Sequence, residues 1–306
     1  MKTNKTAVIT GAAGMLGTAL IRLMSENNYR IYAVMRPDSP RNALVPVGEN
    51  IFPIECELDE IDTLSEKITE KCNLFFHFGW AGTFGNVRND MERQVKNISA
   101  CVKAAETAHK LGCRTFIGSG SQAEYGRCDR PLTAATPPFP ENGYGMAKLC
   151  AGQMVGKICE NNGMICLWFR ILSVYGINDG ENTLISSAMR KMLKGERVSC
   201  TSGEQIWDYL YCDDAANAML SAAEKCSRSA VYPLGSGKPR KLREYITEMK
   251  EVLDSSSEIG FGDVPYGDKQ VMYLCADISK LTADYGFVPQ INFADGIRNL
   301  QNSLTM

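Results

Sequence analysis

The chain has 306 residues, with 33 Lys and Arg against 35 Asp and Glu for a formal charge of −2, and 44% of it is apolar; it can bury the core of one large α/β domain carrying a lobe, or of two domains sharing a cleft. There is no lysine or arginine run of the kind that grips a phosphate backbone, which argues against a nucleic-acid partner, and no apolar run approaches the roughly 18 residues of a membrane span. Twelve scattered cysteines without a C-x-x-C pair, and two histidines far apart at His77 and His109, argue against a zinc site and for a reduced, cytoplasmic protein.

Short apolar runs alternate with helix-length periodic segments from residue 6 to about 170, the pattern of βαβ units and a parallel sheet. The first strand, Ala7 to Thr10, begins almost at once, with no signal h-region before it. Further strands are expected at Ile31–Val34, Phe52–Ile54, Leu74–Phe78, Thr115–Gly118 and Ile165–Phe169. Helices are expected to start near Met15, Leu64, Met91 and Tyr144, each fitting a 3.6-residue period better than a period of two. After Tyr175-Gly176 the turn punctuation thickens. Helices at Leu184–Leu193, Asp214–Ala223 and Leu242–Leu253 then mix with Gly-, Ser- and Pro-rich loops, Ser255 to Ser257 among them, as in a smaller lobe resting on the sheet's C-terminal edge.

Between the first strand and the first helix lie Gly11, Gly14 and Gly17, spaced G-x-x-G-x-x-G. In that context a tight turn and close backbone approach suit the pyrophosphate of a dinucleotide, which would meet the N–H groups of the helix N-terminus. The second strand runs into Val34-Met35-Arg36-Pro37. A carboxylate there would bond the ribose 2′-OH of NAD, whereas an arginine pairs with the 2′-phosphate of NADP. Arg36 therefore points to NADP(H), with two other readings open: Arg36 as a solvated surface charge, and Asp38 reaching a ribose of NAD.

Tyr144 and Lys148 stand four apart in Gly143-Tyr144-Gly145-Met146-Ala147-Lys148, so on a helix they share a face and the ammonium can lie beside the phenol and favour its ionised form. The pair alone occurs by chance on many solvated helix faces, and context decides. His77 precedes Phe78 in an apolar strand and reads as structural. The cysteines, Cys128, Cys200 and Cys212 included, have no neighbouring histidine and read as small core or surface residues.

Taken together, Thr10 to Gly17, the Tyr144/Lys148 pair and the intervening Ser119-Gly120-Ser121-Gln122-Ala123-Glu124-Tyr125-Gly126 resemble the extended short-chain dehydrogenase/reductase family of nucleotide-sugar epimerases, dehydratases and reductases. Ordered matches run nearly end to end, through Glu57-Leu58, His77 to Trp80, Asn97, Arg170 to Gly176, Gly203 to Asp208, Tyr211 to Asp214, and Ala276 to Lys280. The resemblance implies a Rossmann-type doubly wound parallel sheet with a smaller C-terminal α/β substrate lobe. Residues 1–172, with a return segment at about 206–234, would bind NADP, and residues 173–205 and 235–306 would form the lobe. It also implies Tyr144 as general acid/base, Lys148 holding the nicotinamide ribose and depressing the tyrosine pKa, and Ser121 orienting the reacting oxygen, with Ser119 a rival for that last role. Cofactor contacts are implied for Gly11, Gly14, Met15, Leu16, Gly17, Arg36, Glu57, Leu58, Phe78, Gly79 and Ile171 besides Tyr144 and Lys148. Substrate contacts are implied for Trp80, Ser121, Gln122, Ser173, Thr183 and Trp207, where packing in the core is the competing reading for both tryptophans.

Departures from the family pattern narrow the reaction. Relatives that remove water across C5 and C6 follow the catalytic hydroxyl with Asp-Glu, where this chain has Gln122-Ala123, and relatives that epimerise C3 and C5 carry a cysteine where Ala123 stands. What remains is NADPH-dependent reduction of a nucleotide-activated keto-sugar, at C4 of a 4-keto-6-deoxyhexose, or a 4-epimerase that keeps its NAD bound. A reading outside catalysis, an NADP-binding sensor or scaffold, would have no need of Ser121, Tyr144 and Lys148. The segment Glu204 to Leu210 also resembles the reductase branch exemplified by CDP-abequose synthase and related 4-ketoreductases. The arginines that hold the substrate diphosphate in many relatives are missing, one being replaced by Trp207; Arg240, Lys241, Arg243 or Lys269 could substitute, or be plain surface charges. A homodimer built on the two long helices near Asn97 and Tyr144 is expected, with no metal.

Overall fold

The apolar runs become parallel strands in the computed structural model, which describes residues 5–305. Strands β1 (Thr6–Thr10), β2 (Arg30–Met35), β3 (Ile51–Glu55), β4 (Leu74–His77), β5 (Thr115–Ser121) and β6 (Ile165–Ile171) alternate with α1 (Met15–Glu26), α2 (Leu64–Lys67), α3 (Met91–Lys110) and α4 (Gly143–Asn161). There follow β7 (Ser173–Tyr175), α5 (Leu184–Leu193), β8 (Val198–Cys200), β9 (Ile206–Trp207), β10 (Tyr209–Tyr211), α6 (Cys212–Lys225) and β11 (Ala230–Leu234). The chain closes with β12 (Arg240–Lys241), α7 (Leu242–Val252), β13 (Ile259–Phe261), α8 (Ser279–Tyr285) and α9 (Phe293–Thr305).

Seven strands form one sheet in the order β11-β6-β5-β4-β1-β2-β3, every pair parallel. This is a Rossmann-type doubly wound fold. Because β-strand side chains alternate between faces, Ala7 and Ile9 of β1 pack into a core with α1 and α6, while Val8 between them packs into the opposite core with α3 and α4. The strand order reverses between β1 and β4, the place where a doubly wound sheet opens a crevice at the carboxyl ends of its strands.

Three local expectations need correction. The helix expected from Leu64 is a single turn preceded by a 3-10 segment, Leu58–Thr63. It stops because Ile68, 2% exposed, turns extended to enter the core, and the β-branched Ile68-Thr69 pair resists continuation. Strands β5 and β6 run past Gly118 and Phe169, pairing Ser119 with Phe169, Gly120 with Arg170 and Ser121 with Ile171. The Gly-Ser-Gly-Ser composition hides this strand end from propensity, yet it is what delivers Ser121 to the crevice.

Two of the motif aspartates are architectural. Asp208, fully buried, accepts hydrogen bonds from Ser236 N (2.7 Å) and Oγ (2.5 Å), Gly237 N (3.1 Å) and Ala276 N (3.0 Å), so it ties three loops of the second half together. Asp214 accepts from Gln290 N and Ile291 N and anchors the segment leading into α9. Among the described residues no helix is long and apolar enough to cross a membrane, and no group of three or more His, Cys, Asp or Glu could hold a metal ion.

Candidate active site

The crevice consists of two cavities of about 550 and 510 Å³ that share Gly11, Gly14 and Trp80. One is bordered by Arg36, Ser39, Arg41, Asn42, Glu57, Leu58 and Gly79. The other is bordered by Met15, Leu16, Gly17, Phe78, Ser121, Tyr144, Lys148, Ile171, Ser173, Thr183 and Trp207. The cofactor and substrate contacts implied by the resemblance thus face one cavity or the other, apart from Gln122, which lines neither.

The glycine loop is a cradle that fits a dinucleotide. Gly11 has φ +67°, and a Cβ there would lie 2.8 Å from Gly79 N, while one at Gly17 would collide with the Gly11 and Ala12 carbonyls. Gly14 caps α1 with no side chain, so the N–H groups of its first turn have no intrahelical partner and suit a pyrophosphate. Beyond the loop, Arg36 is exposed at the rim and forms no ion pair among the described residues. Its carbonyl accepts from Asn42 Nδ2 at 2.9 Å. Asp38, the rival for a ribose, does not line the cavity.

At the other end, Asn142 caps α4 through Gly145 N (2.9 Å) and presents Tyr144 and Lys148 inward. Ser121 ends β5 and is held there by Glu124, which accepts its N–H at 2.8 Å. The Ser121 hydroxyl faces the same cavity as the Tyr144 phenol and accepts Ala123 N at 3.2 Å. Glu124 is itself fully buried and takes Trp168 Nε1 (3.0 Å) and Arg170 Nε (2.7 Å). Serine, tyrosine and lysine therefore meet as the family resemblance implies, and Ser119 serves elsewhere: its hydroxyl donates to the His77 carbonyl at 3.0 Å.

Lys148 has partners besides the phenol. Lys148, 3% exposed, donates to the Ser119 carbonyl at 2.6 Å and lies 3.8 Å from the Trp80 ring centroid but 5.9 Å from that of Tyr144. Burial brings its pKa down to about 8. Burial pushes the Tyr144 phenol upward, opposed by the Ser121 hydroxyl and the Arg88 charge. The buried ammonium takes the acceptor that the end of β5 offers while still lying over the phenol ring.

His77 is structural. It is 2% exposed, bonds Thr10 Oγ1 through Nδ1 at 2.8 Å, and burial followed by the Lys148 charge pushes its pKa down to about 3. Its ordinary value is near 6.5, so between pH 3 and 6.5 the unfolded chain binds a proton that the folded chain refuses, and stability rises with pH across that window. Urea unfolding should show about 2 kcal/mol less stability at pH 5 than at pH 7 from this residue. In His77→Gln that part of the slope should vanish; an unchanged slope would count against a buried neutral imidazole.

Both tryptophan ambiguities resolve toward the crevice. Trp80 stands edge-on to Tyr144, 6.1 Å between centroids, with Nε1 on Gln94 Oε1 at 3.0 Å. Trp207 donates to Ser173 Oγ at 2.7 Å. The candidate diphosphate cations do not reach the cavities: Arg240 pairs with Glu248, and Lys241 and Arg243 with Glu204, while Lys269 lines neither cavity.

Four residues on the site escaped sequence reasoning. Asp179 and Tyr209 line the substrate end, and burial raises the Asp179 carboxyl although Thr183 Oγ1 (2.8 Å) and Gly180 N (2.7 Å) bond it. Arg41 bridges Ala13 O (3.3 Å) and Asn178 O (2.6 Å), stapling the glycine loop to the loop after β7. Arg88 lies over the Tyr144 ring at 4.7 Å. None carries a signal of its role: Arg41 and Arg88 act across long sequence separations, and Asp179 bonds only its own turn.

Comparison with known proteins places the chain in a family. Residues 7–235 match the NAD dependent epimerase/dehydratase family. The chain is 26% identical over 334 residues to a probable UDP-arabinose 4-epimerase of Arabidopsis thaliana, covering 97% of this chain and 78% of that one. It is 25% identical over 314 residues to the CDP-abequose synthase of Salmonella typhimurium strain LT2, covering 97% of each. Its fold is similar to that of the UDP-glucose 4-epimerase of Thermotoga maritima bound to UDP-glucose, with a TM-score of 0.87 at 22% identity over 98% of this chain and 99% of that one. It is similar also to a Bacillus cereus UDP-glucuronic acid 4-epimerase in complex with UDP-glucuronic acid and NAD, with a TM-score of 0.83 at 19% identity over 98% and 99%.

Proposed function

The chain belongs to the NAD-dependent epimerase/dehydratase family, and from that premise we propose that it reduces a nucleotide-activated keto-sugar, a 4-keto-6-deoxyhexose, with NADPH. The observation that carries the choice of NADPH is Arg36, a guanidinium without an ion pair among the described residues, at the rim of the cofactor cavity where the second strand ends and where Asp38 does not reach the lining. A nicotinamide dinucleotide bound in the crevice supplies the hydride chemistry. The chain's own residues do the rest: Ser121 orients the keto oxygen, the Tyr144 phenol donates the proton that oxygen needs, and Lys148 stays fixed by Ser119 near the ribose position. The first turn of α5, with Thr183 to Ile185 on the cavity wall, offers N–H groups to a diphosphate in place of the missing arginines.

Similarity to named 4-epimerases favours a second reading, in which Tyr144, with Ser121, takes the proton of one hydroxyl oxygen and later returns it, while the hydride of the same carbon would pass to a nicotinamide that stays bound and come back from it. Titration separates the two. For the reductase, NADPH binds exchangeably and is consumed with the keto-sugar, and Arg36→Ala weakens NADPH by about 10- to 100-fold, the loss of one charged hydrogen bond, while NADH binding is unchanged. Retention of NAD through purification, with no net NADPH use, would establish the epimerase instead.

Exposed Met91 and Val95 on α3 and Met146 and Met154 on α4 support a homodimer through these helices. Twelve cysteines, all unpaired, support a reducing, cytoplasmic setting.

A further inference from the structure

Resting on the reading of Tyr144 as the acid/base, we infer that Arg88 is a positioning residue that acts through Tyr144: its guanidinium, docked on the ring, stabilises the phenolate form. Arg88 belongs to a short 3-10 segment, Gly85–Asn89, between β4 and α3. The neighbours on either side of it are pinned. The Val87 carbonyl accepts from Gln94 Nε2 at 3.3 Å, and Asn89 Oδ1 accepts from Gly143 N at 3.0 Å, in the first turn of the catalytic helix. The guanidinium carbon therefore rests 4.7 Å from the Tyr144 centroid, with Nε buried and without a hydrogen bond and no carboxylate paired to it among the described residues. A cation held at this distance, on a half-buried side chain, has its charge available to the ring rather than spent on an acidic partner.

The charged groups facing Tyr144 come from three elements. Lys148 on α4 is turned to Ser119 and Trp80. Glu124, on the turn after β5, opposes phenolate formation but is itself bonded by Arg170. Arg88, 4.7 Å from the ring centroid against 5.9 Å for Lys148, is the nearer cation and lowers the cost of ionising the phenol.

The test follows the Tyr144 phenolate ultraviolet band in the cofactor-loaded protein, isolated by subtracting Tyr144→Phe, and repeats it with Arg88→Met against Arg88→Met/Tyr144→Phe. At the pH where wild-type Tyr144 is half ionised, the phenolate-to-phenol ratio in Arg88→Met should fall about tenfold or more, the effect of an opposite charge at this range. Arg88→Lys, which keeps the charge, should stay nearer wild type, and this variant carries the test if Arg88→Met does not fold. The pH–rate limb assigned to Tyr144 should move up in Arg88→Met by the same amount. An unchanged ratio in Arg88→Met, or an equal loss in Arg88→Lys, overturns the inference. Because the phenol titration uses no sugar substrate, its outcome stands whether or not the keto-sugar reading holds.

Discussion

Tyr144→Phe should lower kcat by about 10²–10⁴-fold, the usual worth of a positioned general acid, while leaving cofactor binding and folding intact. The phenyl ring keeps the edge-on contact with Trp80 and the seat under Arg88, so only the hydroxyl is lost. No neighbour can replace it. Ser121 is the orienting group in the proposed mechanism, Lys148 donates to the Ser119 carbonyl, and Asp179, the one carboxyl among the described residues lining the cavity that holds Tyr144, is bonded to Thr183 and Gly180. Turnover of the keto-sugar at saturating NADPH, beside NADPH affinity and the urea midpoint, checks this. A variant within about tenfold of wild type, below the range for such a group, would remove Tyr144 from the chemistry.

The second large effect is on the frame rather than on the proton. Glu124→Ala should cost about 3–5 kcal/mol of stability, the penalty for leaving one member of a buried ion pair uncompensated. Glu124 is fully buried and takes three donors, Ser121 N, Trp168 Nε1 and Arg170 Nε. Its removal strands the Arg170 guanidinium, 7% exposed and already carrying an unbonded Nη1. The same change releases the backbone of Ser121, so kcat should fall along with stability. Urea unfolding of wild type and variant reads the first effect, and turnover of the folded fraction reads the second. A loss below about 1 kcal/mol, the scale of an ordinary hydrogen bond, would mean that Glu124 does not hold the site together.

Two kinds of information built this site, and they separate cleanly. From the sequence alone came what is local: the strand, glycine loop and helix of the dinucleotide cradle, the Tyr144/Lys148 pair one helical turn apart, the parallel βαβ order, and Arg36 at the end of the second strand. These are legible because backbone geometry, helical period and turn chemistry act over a few residues, so the spacing of residue types is itself the structure. Only the tertiary structure could decide where charges go. Lys148 points to Ser119 because β5 runs on to Ser121 beside it, Glu124 meets Trp168 and Arg170 across |i−j| of 44 and 46, and Arg240, Lys241 and Arg243 end in ion pairs with Glu248 and Glu204. Arg88 falls on the Tyr144 ring because the segment after β4 is tied to the first turn of α4. A buried or half-buried charge takes the best acceptor or ring that packing brings within a few ångströms, and that choice depends on which distant elements share a crevice, which no local spacing encodes.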